Sequence, residues 1–163
     1  KKRGAKMRLT KYTVEFDESR KPMLAKERSF NYSAAEQLNT PERIVELIID
    51  TIRADKQVEE HVWLLALNGK LKPVGIFEVS HGSGGTSVCG MREIFMRLCL
   101  CGASAFVVAH NHPTGDCFPS EEDRQTTETL KNAAELMQIK FLDHIIIGAG
   151  EFYSFTENKN NTK

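Results

Sequence analysis

Apolar residues recur along this chain with two periods, and the switches between them mark out the elements. LTKYTVEF (9–16) alternates, placing Tyr12, Val14 and Phe16 on one face, as a half-buried strand does. The next stretch, DESRKPMLAKERSFNYSA (17–34), is polar and mixed and reads as a connecting segment. A helix is expected from about Pro41 to Arg53. Thr40 can cap it, Pro41 suits the first helical position, and Ile44, Val45, Leu47, Ile48 and Ile52 form a broad apolar stripe. HVWLLALN (61–68) is too apolar to have a solvated face and reads as a central strand. NGK (68–70) then turns the chain into LKPVGIFEVS (71–80), a hairpin partner.

HGSGGTSVCG (81–90) is a glycine- and serine-rich loop that could line a substrate groove or serve as a plain connector. MREIFMRLCLC (91–101) has helical periodicity and a natural stop at Gly102. SAFVVAH (104–110) reads as a buried strand, and SEEDRQTTETLKNAAELMQI (120–139) as a helix with Leu130, Ala134 and Met137 inward. KFLDHIIIG (140–148) and EFYSF (151–155) supply two more strands, and ENKNNTK (157–163) a frayed tail. Strands interleaved with helices, plus one hairpin, predict an α/β fold with a mixed sheet packed between helices.

Composition narrows the function classes. At 163 residues the chain suits one domain, and 40% hydrophobic residues exclude a wholly disordered protein. Lys+Arg and Asp+Glu are both 22, so there is no global electrostatic pull on nucleic acid. The basic start, KKRGAKMR (1–8), reads as a loose solvated tail without the apolar stretch of a signal peptide. No apolar run reaches membrane-spanning length, so a cytoplasmic protein with no membrane partner is expected. The oligomeric state is not legible. The four cysteines, Cys89, Cys99, Cys101 and Cys117, form no C-x-x-C pair and read as free thiols.

The chemistry concentrates in AHNHPTGDCFPSEED (109–123). Residues i and i+2 of a strand share a face, about 6.5–7 Å apart, so His110 and His112 can turn toward one ion. Zinc takes nitrogen ligands at about 2.0–2.1 Å in a tetrahedral shell, and catalytic sites keep one of the four positions for water. Asp123 is the best-placed acid to join them. With Ser120 as N-cap it stands at N3, where the helix dipole favours an anion, and Glu121 and Glu122 face elsewhere. Ser120-x-x-Asp123 is equally close to a capping box that needs no metal. On ligand chemistry alone the two readings stand about even.

The pattern H-x-H-x(7)-S-x-x-D, formed by His110, His112, Ser120 and Asp123, resembles the JAMM signature of JAB/MPN-domain metalloproteins. AHNHPTGDCFPSEED together with LDHIIIGAGEFYSFTE, HVWLLALNGK and REIF (92–95) resembles the bacterial RadC family in particular. The resemblance spans about residues 40–157. It divides the chain into an N-terminal strand and extension (1–39), a RadC-like JAB/MPN domain (40–157) and a disordered tail (158–163). It implies a three-layer, cytidine-deaminase-like α/β/α fold, with Zn2+ held by His110, His112 and Asp123. It also implies an upstream glutamate acting on the zinc-activated water, a role that falls on Glu60; Glu59, Glu78 and Glu93 are rivals. Ser120 would help stabilise an oxyanion while capping the helix.

The implied activity is JAMM-type hydrolysis of a peptide or isopeptide bond, with a peptide or protein substrate as partner. Two other classes stay open: a DNA-repair or DNA-processing accessory protein, and a metal-stabilised interaction module without turnover. There are departures from the family pattern. Thr114 replaces a usual serine, Cys117-Phe118 stands where another loop residue is usual, and Met91 stands where proline often precedes REI. Cys117 brings a thiol near the site, read as a free loop cysteine. The helix-hairpin-helix region of longer RadC proteins is not seen before this domain, so DNA binding inferred from it does not carry over. His81 reads as a surface loop residue, His144 as a structural strand residue and Trp63 as core. His61 should face away from the metal.

Overall fold

The computed structural model describes residues 7–32, 38–82, 90–157 and 159–162. Eight strands form one mixed sheet. In chain order the elements are β1 (Met7–Phe16), β2 (Pro22–Tyr32), α1 (Pro41–Ile52), a 3₁₀ turn (Ala54–Lys56), β3 (Glu60–Leu67) and β4 (Pro73–Gly82). They continue with α2 (Met91–Cys101), β5 (Ala105–Asn111), α3 (Glu121–Met137), β6 (Lys140–Ile147), β7 (Glu151–Ser154) and β8 (Lys159–Thr162). The order across the sheet is β2-β1-β4-β3-β5-β6-β7-β8. Only β1/β4 and β5/β6 pair in parallel.

The helices take opposite faces, giving the expected three layers. Ile44, Val45, Leu47 and Ile48 of α1 pack with Trp63, Leu65, Val107, Ala109 and Ile145 on one face. Ile94, Phe95 and Leu98 of α2 and Leu130 and Ala134 of α3 cover Val62, Leu64, Phe106 and Val108 on the other. Strand alternation decides the sorting, since consecutive residues of β3 and β5 enter different cores. Both strands are buried on both faces, which explains why they read as unbroken apolar runs. Trp63 is core, as expected. Among the described residues no helix is long and apolar enough to cross a membrane.

Helix ends follow their local chemistry. Thr40 accepts from the Arg43 backbone N–H and Pro41 opens α1, while Gly102, at φ 65°, stops α2. Several expectations fail. Residues 22–32 form edge strand β2 rather than a connector, because its backbone pairs with β1 from Met7↔Tyr32 to Phe16↔Pro22. The closing residues, read as a frayed or disordered tail, contribute β8, paired with β7. The β3–β4 turn spans 68–72, with the Asn68 side chain accepting from the Lys70 and Lys72 N–H groups. Met137, expected inward, is 43% exposed, as is Phe16 at 59%. Most of the glycine-rich stretch lies outside the described residues, as do residues 1–6 and Cys89, but His81 belongs to β4.

Candidate metal centre

The site lies where β5 ends and α3 begins. His110 is the penultimate residue of β5 and His112 follows its last. Ser120 caps α3 reciprocally: its hydroxyl accepts from the Asp123 N–H at 3.1 Å, and its own N–H donates to Asp123 Oδ2 at 2.8 Å. The Ser120 hydroxyl also donates to Asp123 Oδ2, at 2.8 Å. The capping box and the proposed ligand are therefore the same residues, and the cap aims the carboxylate.

Three ligand atoms converge. His110 Nε2 lies 3.1 Å from His112 Nε2 and 3.2 Å from Asp123 Oδ1, and His112 Nε2 lies 3.5 Å from Asp123 Oδ2. Atoms bound to a tetrahedral ion at about 2.0–2.2 Å stand about 3.3–3.6 Å apart, close to these separations, and Asp123 has an oxygen near each histidine. Asp123, with His110 and His112, forms one of two groups of clustered metal-ligating side chains among the described residues.

The proton positions sharpen this. His112 Nδ1 lies 2.8 Å from the Asp116 carbonyl oxygen, which can only accept, so Nδ1 carries a proton and a neutral His112 has its lone pair on Nε2. Behind His110 runs a longer chain. The Thr127 hydroxyl donates to the Asp123 carbonyl at 2.7 Å and therefore accepts from His144 Nδ1, also at 2.7 Å. His144 Nε2 is then an acceptor and takes the His110 Nδ1 proton at 2.9 Å. His144 stays neutral, because full burial and the neighbouring His110 push its pKa well below 6.5. A neutral His110 therefore carries its lone pair on Nε2. With both rings neutral, two lone pairs would face each other at 3.1 Å, and a cation between them would relieve the repulsion. In the metal-free protein a proton on His112 can serve: its pKa is raised by the bond to Asp123, against burial, with help from the Asp116 carbonyl and Glu60. Burial would lift the pKa of Asp123, but bonds to both histidines and the Ser120 N–H hold it well below the usual carboxylate range.

The loop between the ligands is stitched to the β6–β7 turn. The His112 N–H donates to the Ile147 carbonyl, the Gly115 N–H to that of His112, and the Ala149 N–H to that of Gly115. Gly148 is required by close approach, since a Cβ there would strike the Gly115 carbonyl oxygen and crowd Cys117. Cys117 is fully buried against Ile146 and Tyr153, so its thiol is packing rather than an exposed loop group.

Other sequence candidates sort by face. Glu60 shares its face of β3 with Val62, the partner of His110, and lies near enough to raise the His112 pKa. His61 points to the α1 face, stacked on Trp63, as expected. Glu78 is on that far face, beside Lys11 and His61, and Glu93 pairs with Arg92 on α2. Neither rival joins the centre. His144, read from sequence as structural, stands directly behind His110. The LDHIIIG stretch that carries it was the available signal.

A mixed sheet between helical layers, with two histidines and an aspartate gathered at one strand end, is the architecture of a JAB/MPN domain. The chain belongs to the RadC family, for residues 38–160 match the RadC-like JAB domain. Curated relatives carry the name UPF0758 protein. One from Pelobacter propionicus is 46% identical over 98 residues, covering 60% of this chain and 43% of that protein. One from Chlorobium phaeovibrioides is 42% identical over 106 residues, covering 65% and 48%. One from Actinobacillus pleuropneumoniae is 35% identical over 129 residues, covering 77% and 59%. The chain spans about half the length of these relatives.

Proposed function

We propose that this domain is a cytoplasmic zinc-dependent hydrolase of the JAMM type that cleaves a peptide or isopeptide bond. The observation that carries the reading is the convergence of His110 Nε2, His112 Nε2 and the Asp123 carboxylate, at separations of 3.1, 3.2 and 3.5 Å. Two imidazoles and one carboxylate suit zinc and leave one position of four open, as hydrolytic centres require. Zinc held there would polarise a carbonyl and lower the pKa of water toward about 7.

The chain's own residues would do the rest. Glu60, on the same face, accepts the proton of the attacking water and returns it to the leaving amine nitrogen. His110, 3% exposed, anchors the dry side, while His112 borders solvent and sets the direction of substrate approach. The Ser120 hydroxyl can donate to the developing oxyanion, but its proton must first swing away from Asp123 Oδ2. The bond class follows the JAMM analogy, which says little about the particular substrate.

The test is hydrolysis of peptide and isopeptide libraries by zinc-loaded protein and by Glu60→Gln, with zinc content measured in both and DNA binding followed over a salt series. The expected result is a loss of about 10²–10⁴-fold in rate with zinc retained. Undiminished hydrolysis by Glu60→Gln excludes this base. Salt-sensitive DNA affinity without cleavage supports the accessory reading, and retained zinc with neither activity supports the interaction module.

A further inference from the structure

The second cluster of metal-ligating side chains lies at the same end of the sheet but on its opposite face. His61 of β3 and His81 of β4 are cross-strand partners, and Glu78 lies three residues before His81. The β4 strand bulges here, because Val62 pairs with Ser80 while Trp63 pairs with Glu78. That extra residue brings Glu78 onto the face of the two histidines. His61 Nδ1 lies 3.3 Å and His81 Nδ1 3.1 Å from the same oxygen, Glu78 Oε1. All three ligand atoms fall within 4.8 Å of one another.

We infer that His61, Glu78 and His81 form a second divalent-metal site, for an ion of the zinc class, separate from the centre on the other face. The spacings to Glu78 Oε1, 3.1 and 3.3 Å, lie at or just below the edge of a tetrahedral shell, about 3.3–3.6 Å. The rings are oriented in advance. His61 stacks on Trp63 at 5.4 Å, with 3° between planes, and His81 stacks on His61 at 5.4 Å. Lys11 engages the other oxygen, Glu78 Oε2, at 3.1 Å, and so leaves Oε1 to the histidines. Lys11 is shared with Glu27 at 2.9 Å, so its ammonium is divided between two carboxylates rather than held by Glu78 alone. A cavity of about 350 Å³, lined in part by Lys11, Glu27, His61, Trp63 and Glu78, gives an ion and its water access. His81, its side chain 61% exposed, closes the set from the solvent side.

An ion here would also bear on the first centre. The His61 N–H donates to Asn111 Oδ1 at 2.8 Å, and Asn111 stands between His110 and His112. Asn111 Nδ2 donates in turn to the Glu59 carbonyl at 2.9 Å. The second site therefore clamps the start of β3, from which Glu60 projects. The inference does not depend on the hydrolase reading, because it concerns binding alone.

The experiment is zinc titration of metal-free protein against a chromophoric chelator, for wild type, His81→Ala, His61→Ala and Asp123→Ala. Wild type should bind two equivalents. His81→Ala and His61→Ala should each lose one while keeping the equivalent that Asp123→Ala removes. Because His81 is mostly exposed, His81→Ala reads the site even where His61→Ala disturbs the stack on Trp63. A single equivalent in wild type that Asp123→Ala removes overturns the site, as does a second equivalent that survives His81→Ala with affinity changed less than about tenfold. A single wild-type equivalent that survives Asp123→Ala and is lost in His81→Ala would instead refute the first centre, so the two failures are distinguishable.

Discussion

His144 Nε2 lies 2.9 Å from His110 Nδ1, and this contact settles which nitrogen of His110 faces the candidate metal centre. The settling is indirect. Asp123 presents its carbonyl to Thr127, Thr127 therefore accepts from His144, and His144 must accept from His110. One ligand's backbone thus sets another ligand's tautomer, through two buried side chains. Partners that orient a ligating imidazole typically change metal affinity about 10–100-fold. His144→Ala should weaken zinc binding in that range while far-ultraviolet circular dichroism stays native. Thr127→Val, of nearly equal volume, should act in the same direction but less strongly. Unchanged zinc affinity in both variants, read by chelator competition, contradicts the relay.

Ser120 ties helix stability to ligand placement. Ser120→Ala removes the cap, worth about 1 kcal/mol, and also the hydroxyl donor to Asp123 Oδ2. Stability and zinc affinity should fall together, read by denaturant midpoint and chelator competition. A stability loss with no change in zinc affinity would show that the cap does not aim the carboxylate.

Gly148 is the contact that holds the ligand loop down. Gly148→Ala must push away the Gly115 carbonyl, through which the loop is bonded to Ala149. A cost of about 1–3 kcal/mol is expected from this overpacking. The displaced loop carries Asp116, whose carbonyl fixes the His112 tautomer, so zinc affinity should fall as well. A thermal unfolding midpoint equal to that of wild type contradicts this account.

Asp143 supports His144 from the side. It accepts from the Ser154 hydroxyl at 2.5 Å and the Thr156 N–H at 2.9 Å, holding the turn where Phe155 stacks on His144. Burial raises its pKa above 3.8, and those bonds offset part of the shift. A folded pKa above the unfolded one contributes stability below the unfolded value and loses it as pH rises through the folded value. Asp143→Asn should flatten the fall in stability that accompanies the rise of pH from the ordinary value of 3.8 through the raised folded value. A denaturant-midpoint profile parallel to that of wild type would contradict the assignment.

The apolar code made much of this fold legible, and its failures have a common cause. The strands β3 and β5 are buried on both faces and announce themselves, and Thr40, Gly102 and Ser120 mark their helix ends in the residues themselves. By contrast, β2 is an edge strand whose exposed Lys26, Glu27 and Arg28 erase the alternation. The short β8 is polar, and its pairing with β7 rests on the backbone.

At the site, the H-x-H spacing and the cap lie within fourteen residues, so His110, His112, Ser120 and Asp123 could be read together. His144 could not be placed, because its contact depends on the parallel register of β5 with β6, in which Val108 meets His144. The sequence presents His61 and Glu78 as separate residues for the same reason. Only the β3–β4 register and its bulge reveal that they share a face with His81.

The most direct test of the central claim is an anomalous difference map at the zinc edge from crystals of zinc-loaded protein. The account predicts a peak about 2.0–2.2 Å from His110 Nε2, His112 Nε2 and an Asp123 carboxylate oxygen, with no protein atom in the fourth position. Density for zinc elsewhere, with none between these three side chains, would contradict it.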